Sequence, residues 1–377
     1  YHHNQVFANE IAAAFEDQGV KIKQIDYIKE IRRLSDCYVD RHCKFFVCFN
    51  GFGSELSLAA GKLNLTSAFE YYGKPLIDLM HDCPIHESMV HQVQSVSSYR
   101  NLFLTDYNYA FIARLLGFRN TRFVPSITFP VTLGQEPVKS FCDRSIDVLL
   151  PIGLSSAEAV RGRHAYATTH KDRVYKEIFE SVVSRAVPDL RLDPLIETIV
   201  ALQQIGTVID FSSVEITYLI SSILDFVKFQ RRRDLMDAVK HLPLTVITDQ
   251  NLEAEFPGTA LRNIPSGSFA DLLSTMSDSK SVICPLPHHT GFHERAMGAF
   301  SGGAYVIAAP NEVLETNFLQ EHELLIYRDA AQLAGVLERI LGNGTGIEAA
   351  AAAGRRKAME KFSPAGLVSA MLTTLSL

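Results

Sequence analysis

The stretch Ser281 to Asp329 reads SVICPLPHHTGFHERAMGAFSGGAYVIAAPNEVLETNFLQEHELLIYRD. A short apolar run ends at Pro285, a loop rich in His and Pro follows, and a helical pattern begins near Thr290-Gly291 and stops at Gly302-Gly303. A second apolar run, Tyr305 to Ala309, leads through a loop at Asn311 to a short helix and a third apolar run ending near Tyr327. Strand, helix, strand, helix, strand in this order makes two right-handed crossovers of a parallel sheet. The polar residues gather where a strand hands over to a helix, which is the edge where open parallel sheets bind ligands.

The same grammar extends outward in both directions. Lys44–Asn50 (KFFVCFN), Pro75–Met80, Asn101–Thr105 and Thr121–Val124 read as strands of an N-terminal α/β domain, residues 1–135, with Thr128–Phe141 as the linker. Ile146–Pro151 opens a second domain, 142–362, and Leu244–Thr248 and Leu261–Ile264 continue it. The interval 155–241 is too long for one crossover helix and predicts a helical insertion with breaks near Pro188, Pro194 and Asp210, while 363–377 reads as a C-terminal helix. At the start, Val6–Gln18 is helical, Gly19 caps it, and VKIKQIDY after it is strand-like. His2, His3 and Asn4 precede that helix with no strand or initiating Met before them, which reads as a first strand lying ahead of the numbering. The expected fold class is α/β, with two Rossmann-like doubly wound domains facing a cleft and a helical insertion in the C-terminal half.

Composition narrows the functional classes. With 377 residues, 47% of them hydrophobic, there is material for two cores. A net charge of −6 argues against nucleic acid as a partner, and the basic run Arg231-Arg232-Arg233 reads as a solvated helix face. Six cysteines without a CxxC pair suit reduced thiols in the cytoplasm better than a disulfide frame or a zinc site. No apolar run is long enough to span a bilayer, so any membrane contact is peripheral. Gly51-Phe52-Gly53 lacks a third glycine, since Leu56 stands in its place, which excludes a dinucleotide fingerprint. No Asp-x-Asp pair occurs in the chain, and neither a metal nor a cofactor is expected.

Facing α/β domains suit a nucleotide on one side and an acceptor on the other. A helix start at Thr290-Gly291 with Arg295 in its first turns offers directed N–H donors and a cation, the needs of a diphosphate. Gly153 and Ser155, in the turn after the strand Ile146–Pro151, are further nucleotide-side candidates. Several residues carry two readings. Glu294 either complements the helix dipole or works in the cleft, and Arg295 pairs with a surface acid or with phosphate. Asn311 is a helix N-cap or a ligand contact. His81-Asp82 closes a turn at Pro84 or supplies a general base that deprotonates an acceptor hydroxyl.

The run GFHERAMGAFSGGA (Gly291–Ala304), followed by YVIAAPNEVLETNF, ELLIYRD and Phe362-Ser363-Pro364, resembles the C-terminal domain of GT-B glycosyltransferases of the group-1, CgeB-like (spore-maturation-protein-like) type. The N-terminal half resembles them only in architecture. The resemblance implies a nucleotide-diphosphate sugar donor held mainly by the C-terminal domain, a UDP-sugar first and a GDP- or dTDP-sugar as alternatives. The acceptor is a glycan, a lipid-linked sugar or a protein. It implies metal-independent transfer, with Glu294 as an acid near the donor sugar, Arg295 as a phosphate partner, and His293, His288, His289 and Thr290 lining the same region. Many such enzymes carry two glutamates eight positions apart; here the flanking positions are Gly302 and Leu286, and a usual site for the ribose-binding acid is Gly298. Glu312 or Glu315 is left as a substitute. The departure keeps two alternatives in view, a catalytically silent GT-B scaffold that binds through its helical insertion, and an epimerase acting on the sugar nucleotide.

Overall fold

A computed structural model of the chain describes residues 2–26, 29–52, 57–60, 64–90, 97–134, 139–163, 169–287, 289–343 and 346–376. Contacts divide it into two compact units. The first takes Tyr1–Glu10, Ser126–Ile209 and Ser222–Pro364; the second takes Ile11–Pro125, Asp210–Ser221 and Ala365–Leu377.

In the second unit, β1 (Phe46–Phe49), β4 (Leu76–Met80), β5 (Arg100–Leu104) and β6 (Thr121–Phe123) form a parallel sheet in the order β1-β4-β5-β6. An antiparallel hairpin of β2 (Ser57–Ala60) and β3 (Asn64–Ser67) lies between β1 and β4 in the chain. Every residue of β4 is buried, as a central parallel strand requires. One of them is Asp78, fully buried against the equally buried Arg100 of β5. Its Oδ2 accepts from Arg100 Nε at 3.1 Å and from Nη2, and its Oδ1 accepts from the Gly51 amide at 2.8 Å. That amide belongs to the turn leaving β1, where Asn50 and Gly51 both have positive φ. Asn50 then ties the turn to the end of β4, accepting from the His81 amide at 2.8 Å and donating to Asp82 Oδ2 at 2.9 Å.

Two expectations are corrected at the N-terminus. Val20–Asp26 is not a strand: none of its residues is buried, it joins no sheet among the described residues, and only Ile25 packs against a core cluster, while Tyr27 lies outside the described residues. His2, His3 and Asn4 do not precede the first helix but belong to it, His2–Asp17.

The first unit holds a six-stranded parallel sheet of β7 (Ile146–Pro151), β8 (Thr245–Ile247), β9 (Arg262–Ile264), β10 (Ser279–Cys284), β11 (Tyr305–Ala308) and β12 (Leu325–Ile326). Its order is β12-β11-β10-β7-β8-β9. The chain winds from β7 outward through β8 and β9, then returns to lay β10 on the other flank of β7, with Ser281 opposite Val148 and Val282 opposite Leu149. This reversal leaves a crevice at the carboxyl ends of β7 and β10, where neighbouring connections diverge to opposite faces. Val148, Leu149, Val282, Ile283, Val306 and Ile307 are all essentially inaccessible, so both faces of the sheet are covered.

Among the described residues the insertion holds four helices, Ala157–Arg163, His170–Ala186, Pro194–Gln204 and Val214–Val239. Its breaks fall where the prolines and Asp210 place them. Asp193 caps the third helix by accepting from the Leu195 amide at 2.8 Å, with Pro194 at the first helical position.

The Asp78–Arg100 pair makes a direct stability prediction. Asp78→Ala strands a fully buried guanidinium and frees the Gly51 amide, so urea unfolding should show a loss of about 3–5 kcal/mol. A loss below about 1 kcal/mol would show that the pair is not what fixes the two turns.

Candidate functional site

The crevice between β7 and β10 is built from four segments, of which the long helix contributes only its part from Ser222 onward, within the first unit. They are the exit of β7 (Pro151–Gly153), the loop after β10, the long helix Val214–Val239, and the loop 187–193 that joins two insertion helices. Two arginines meet there. Arg295 Nη1 donates to the Pro151 carbonyl at 3.2 Å, and Arg232 Nη1 donates to the Gly153 carbonyl at 3.0 Å. Both guanidiniums are half-buried. Burial, with the charge of Arg295 beside it, pushes Arg232 down to about 10. It remains protonated at neutral pH, but against a cost that an anion would remove. Among the described residues neither arginine is ion-paired with a carboxylate. Burial pushes Cys284 up to about 12 and raises the buried Tyr327 phenol, so both are neutral, while the charge of Asp225, itself paired with Lys228, acts on Arg232 without outweighing its burial.

Arg231 has a different task. It donates from Nε to the Ala186 carbonyl at 3.1 Å and from Nη2 to the carbonyls of Asp189 at 2.7 Å and Leu192 at 3.1 Å. It thereby closes the C-terminus of His170–Ala186, where carbonyls lack helical partners, and folds the loop that follows. The Arg run is therefore not a solvated face, because the helix carrying it crosses the carboxyl edge of the sheet. Arg231 caps, Arg232 reaches the crevice, and only Arg233 pairs outward, with Glu255 at 2.7 Å and Asp237 at 3.6 Å.

The folded loop 187–193 braces the loop after β10. Arg191 grips Glu315 with two bonds of 3.0 and 2.7 Å and lies 3.1 Å from His289 Nε2, while Thr290 donates to Asp193 at 3.4 Å. Asn311, fully buried, caps Glu312–Asn317 by accepting from the Leu314 amide at 3.0 Å and donates to the Gly291 carbonyl. A cavity of about 120 Å³ lies behind this frame, with Lys228, Arg231, Arg232, Leu286 and Tyr327 among its walls.

The helix begins at Glu294 rather than near Thr290-Gly291, because His293 acts as its cap and the loop's bonds to Asn311 and Asp193 hold the preceding residues non-helical. His293 Nδ1 accepts from the Arg295 amide at 3.3 Å and lies 3.0 Å from Glu294 Oε2. One amide of the helix start is thus already taken, and anion recognition falls more heavily on the guanidiniums than a bare helix end would require.

The structure brings Glu294, His293, Arg295, Gly291, Thr290, His289, Asn311 and Glu315 together around this loop, with Gly153 opposite through Arg232. Ser155 is exposed in the turn beyond Gly153, and His288 lies outside the described residues. His81 and Asp82 sit at the end of β4 in the other unit, where Asp82 is held by Asn50. Gly298 is turned inward: a Cβ there would meet Leu273 at 2.6 Å and Met276 at 3.2 Å, so this position faces the neighbouring helix Phe269–Ser277. Reading the sequence missed Arg191, Asp193, Arg232 and Tyr327. Only the Arg run carried a signal, and its place on the sheet edge depends on the path of the insertion.

Residues 231–373 match a family model described as glycosyl transferase-like. No curated protein matches the sequence. Among solved structures, the DNA-modifying enzyme β-glucosyltransferase, determined with and without uridine diphosphoglucose, is similar at a TM-score of 0.54 and 8% identity, covering 98% of this chain and 94% of that one. T4 phage BGT in complex with UDP and Mn2+ gives 0.54 at 10% identity, with 98% and 93% covered. Anabaena HepE in complex with UDP-glucose gives 0.50 at 11% identity, with 97% and 88% covered. At such identities the likeness is one of fold, the GT-B architecture.

The two neighbouring arginines should separate in stability measurements. Arg231→Ala removes a donor from three backbone carbonyls, of which only Asp189 keeps another in the Leu192 amide, and should cost about 1–3 kcal/mol in chemical denaturation. Arg232→Ala removes a charge facing Arg295 and should leave stability unchanged or raised. Equal losses would mean that Arg232 is also structural.

Proposed function

We propose that this chain, which carries a glycosyl transferase-like domain and has the GT-B fold, transfers a sugar from a nucleoside diphosphate to an acceptor, with the diphosphate held by Arg232 and Arg295. The supporting observation is that pair of half-buried guanidiniums at the topological switch point, ion-paired with no carboxylate among the described residues. Each presents a planar fork of donors and has only one of them engaged by a backbone carbonyl. Two anionic phosphates supply the missing charge and the missing acceptors.

The chemistry follows from where charge moves. As the bond from the sugar's anomeric carbon to the diphosphate oxygen breaks, negative charge builds on the leaving diphosphate. Donors already fixed by Pro151 and Gly153 meet it without reorganising. Glu294 and His293, 3.0 Å apart, stand beside Arg295 and are assigned to the donor-sugar side. Asp82 with His81 is assigned as the source of a base for the acceptor. Gly291, Thr290, His289, Gly153, Ser155, Asn311 and Glu315 complete the proposed donor region, Asn311 and Glu315 as its braces.

A UDP-sugar is the first candidate donor, since the similar structures were determined with UDP or UDP-glucose; GDP- and dTDP-sugars are the alternatives. The acceptor is a glycan, a lipid-linked sugar or a protein. We further propose that no metal is required, because two guanidiniums carry the charge that a divalent cation would otherwise supply. The Mn2+ in the T4 phage complex makes this a point to measure rather than assume. All six cysteines are free thiols and no described helix is long and apolar enough to cross a membrane, in keeping with a reducing, cytoplasmic setting.

A thermal-shift scan with UDP, GDP and dTDP should show stabilisation by one of them, and Arg232→Ala or Arg295→Ala should weaken that nucleotide at least about ten-fold, as expected for loss of a charge-assisted contact. No shift with any nucleotide would favour a scaffold, and isomerised sugar nucleotide without acceptor an epimerase. Turnover of the matching sugar nucleotide should persist in EDTA and fall at least about a hundred-fold in Glu294→Ala, the scale of a general acid or base. Activity lost to chelation and restored by Mn2+ would contradict the metal-free reading.

A further inference from the structure

The helix Tyr107–Leu115, between β5 and β6 of the second unit, presents Tyr107, Phe111 and Leu115 at 47%, 49% and 54% exposure. Spaced four residues apart, they lie on one face, and the opposite face (Tyr109, Ala110, Ile112, Ala113) is buried. The Tyr107 ring stacks on Phe123 with centroids 3.7 Å apart, so the apolar surface continues onto β6, the edge strand of its sheet.

Charge around this stripe has a single sign. From Tyr107 to Gly134 the sequence contains no Asp or Glu, while Arg114, Arg119 and Arg122 are all exposed. Asp106 is buried beneath the helix as its N-cap, accepting from the Asn108 amide at 2.7 Å. Arg114 donates to Thr121 Oγ1 at 2.8 Å, and the Arg122 guanidinium lies 6.0 Å from the Phe103 ring, which holds both beside the stripe while none of the three is ion-paired among the described residues. A chain of net charge −6 thus carries three positive charges without an ion-pair partner among the described residues on and beside an exposed aromatic helix face.

We propose that this face docks on an anionic lipid bilayer. Aromatic and leucine side chains flanked by arginines suit the interface between headgroups and acyl chains. A second copy of the chain fits poorly, because a two-fold contact would set arginine against arginine. The stripe also runs about 12 Å along the helix away from the carboxyl edge of the sheet, so it is not the substrate crevice. Nothing in this inference depends on the sugar-transfer reading.

Co-sedimentation tests it, with vesicles of mixed phosphatidylglycerol and phosphatidylcholine against phosphatidylcholine alone. The full chain should pellet with the anionic vesicles only, and less at about 0.5 M salt. Phe111→Ser/Leu115→Ser and Arg119→Glu/Arg122→Glu should each lower the partition coefficient at least ten-fold, with the thermal transition unchanged because all four side chains are exposed. Absence of pelleting, equal pelleting by the variants, or a dimer in light scattering that the same variants dissociate would overturn the proposal.

Discussion

Two guanidiniums held against neutral carbonyls are the constraint on which the candidate site depends. Arginine cannot discharge itself at neutral pH, so half-burying Arg232 and Arg295 side by side, with no carboxylate ion-paired to either among the described residues, leaves electrostatic free energy unrecovered. Structural arginines elsewhere in the chain are treated otherwise. Arg100 is fully matched by Asp78, Arg191 by Glu315, and Arg231 by the carbonyl of a helix end and two of the loop after it. The contrast separates charge used to hold the fold from charge left for a ligand.

What keeps that charge in place is the sheet reversal together with the insertion. β7 and β10 part at their carboxyl ends, and the exit of β7 supplies the carbonyls that aim both guanidiniums. The insertion returns a long helix across the same edge, and one turn of it carries both the capping Arg231 and the crevice Arg232. Through Arg231 the loop 187–193 is fixed, and through Arg191 and Asp193 that loop holds the one after β10. Removing water from fixed donors of this kind strengthens them, which is why a rigid crevice serves charge recognition better than a mobile one.

The strand and helix grammar was legible in the sequence because it rests on local periodicity. β1, β4, β5, β7, β10 and β11 all fall on the apolar runs, and the insertion breaks where its prolines stand. The site was legible only in part. His293, Glu294 and Arg295 could be found from their place between two strands, but the helix start was read too early, since a histidine cap carries no strong signature. Arg232 was hidden because a basic run in a helix says nothing about which element crosses which edge. Val20–Asp26 went the other way, an alternating pattern without a partner strand to make it real. Gly298 shows a third case, in which a motif position usually given to an acid faces a neighbouring helix, where a side chain would have to displace Leu273 and Met276.

The most direct measurement is a crystal structure with UDP bound. The account predicts diphosphate oxygens within roughly 3 Å of both the Arg232 and Arg295 guanidiniums, at the carboxyl ends of β7 and β10, without a bridging metal ion. A diphosphate bound elsewhere, or held there only through a divalent cation, would contradict it.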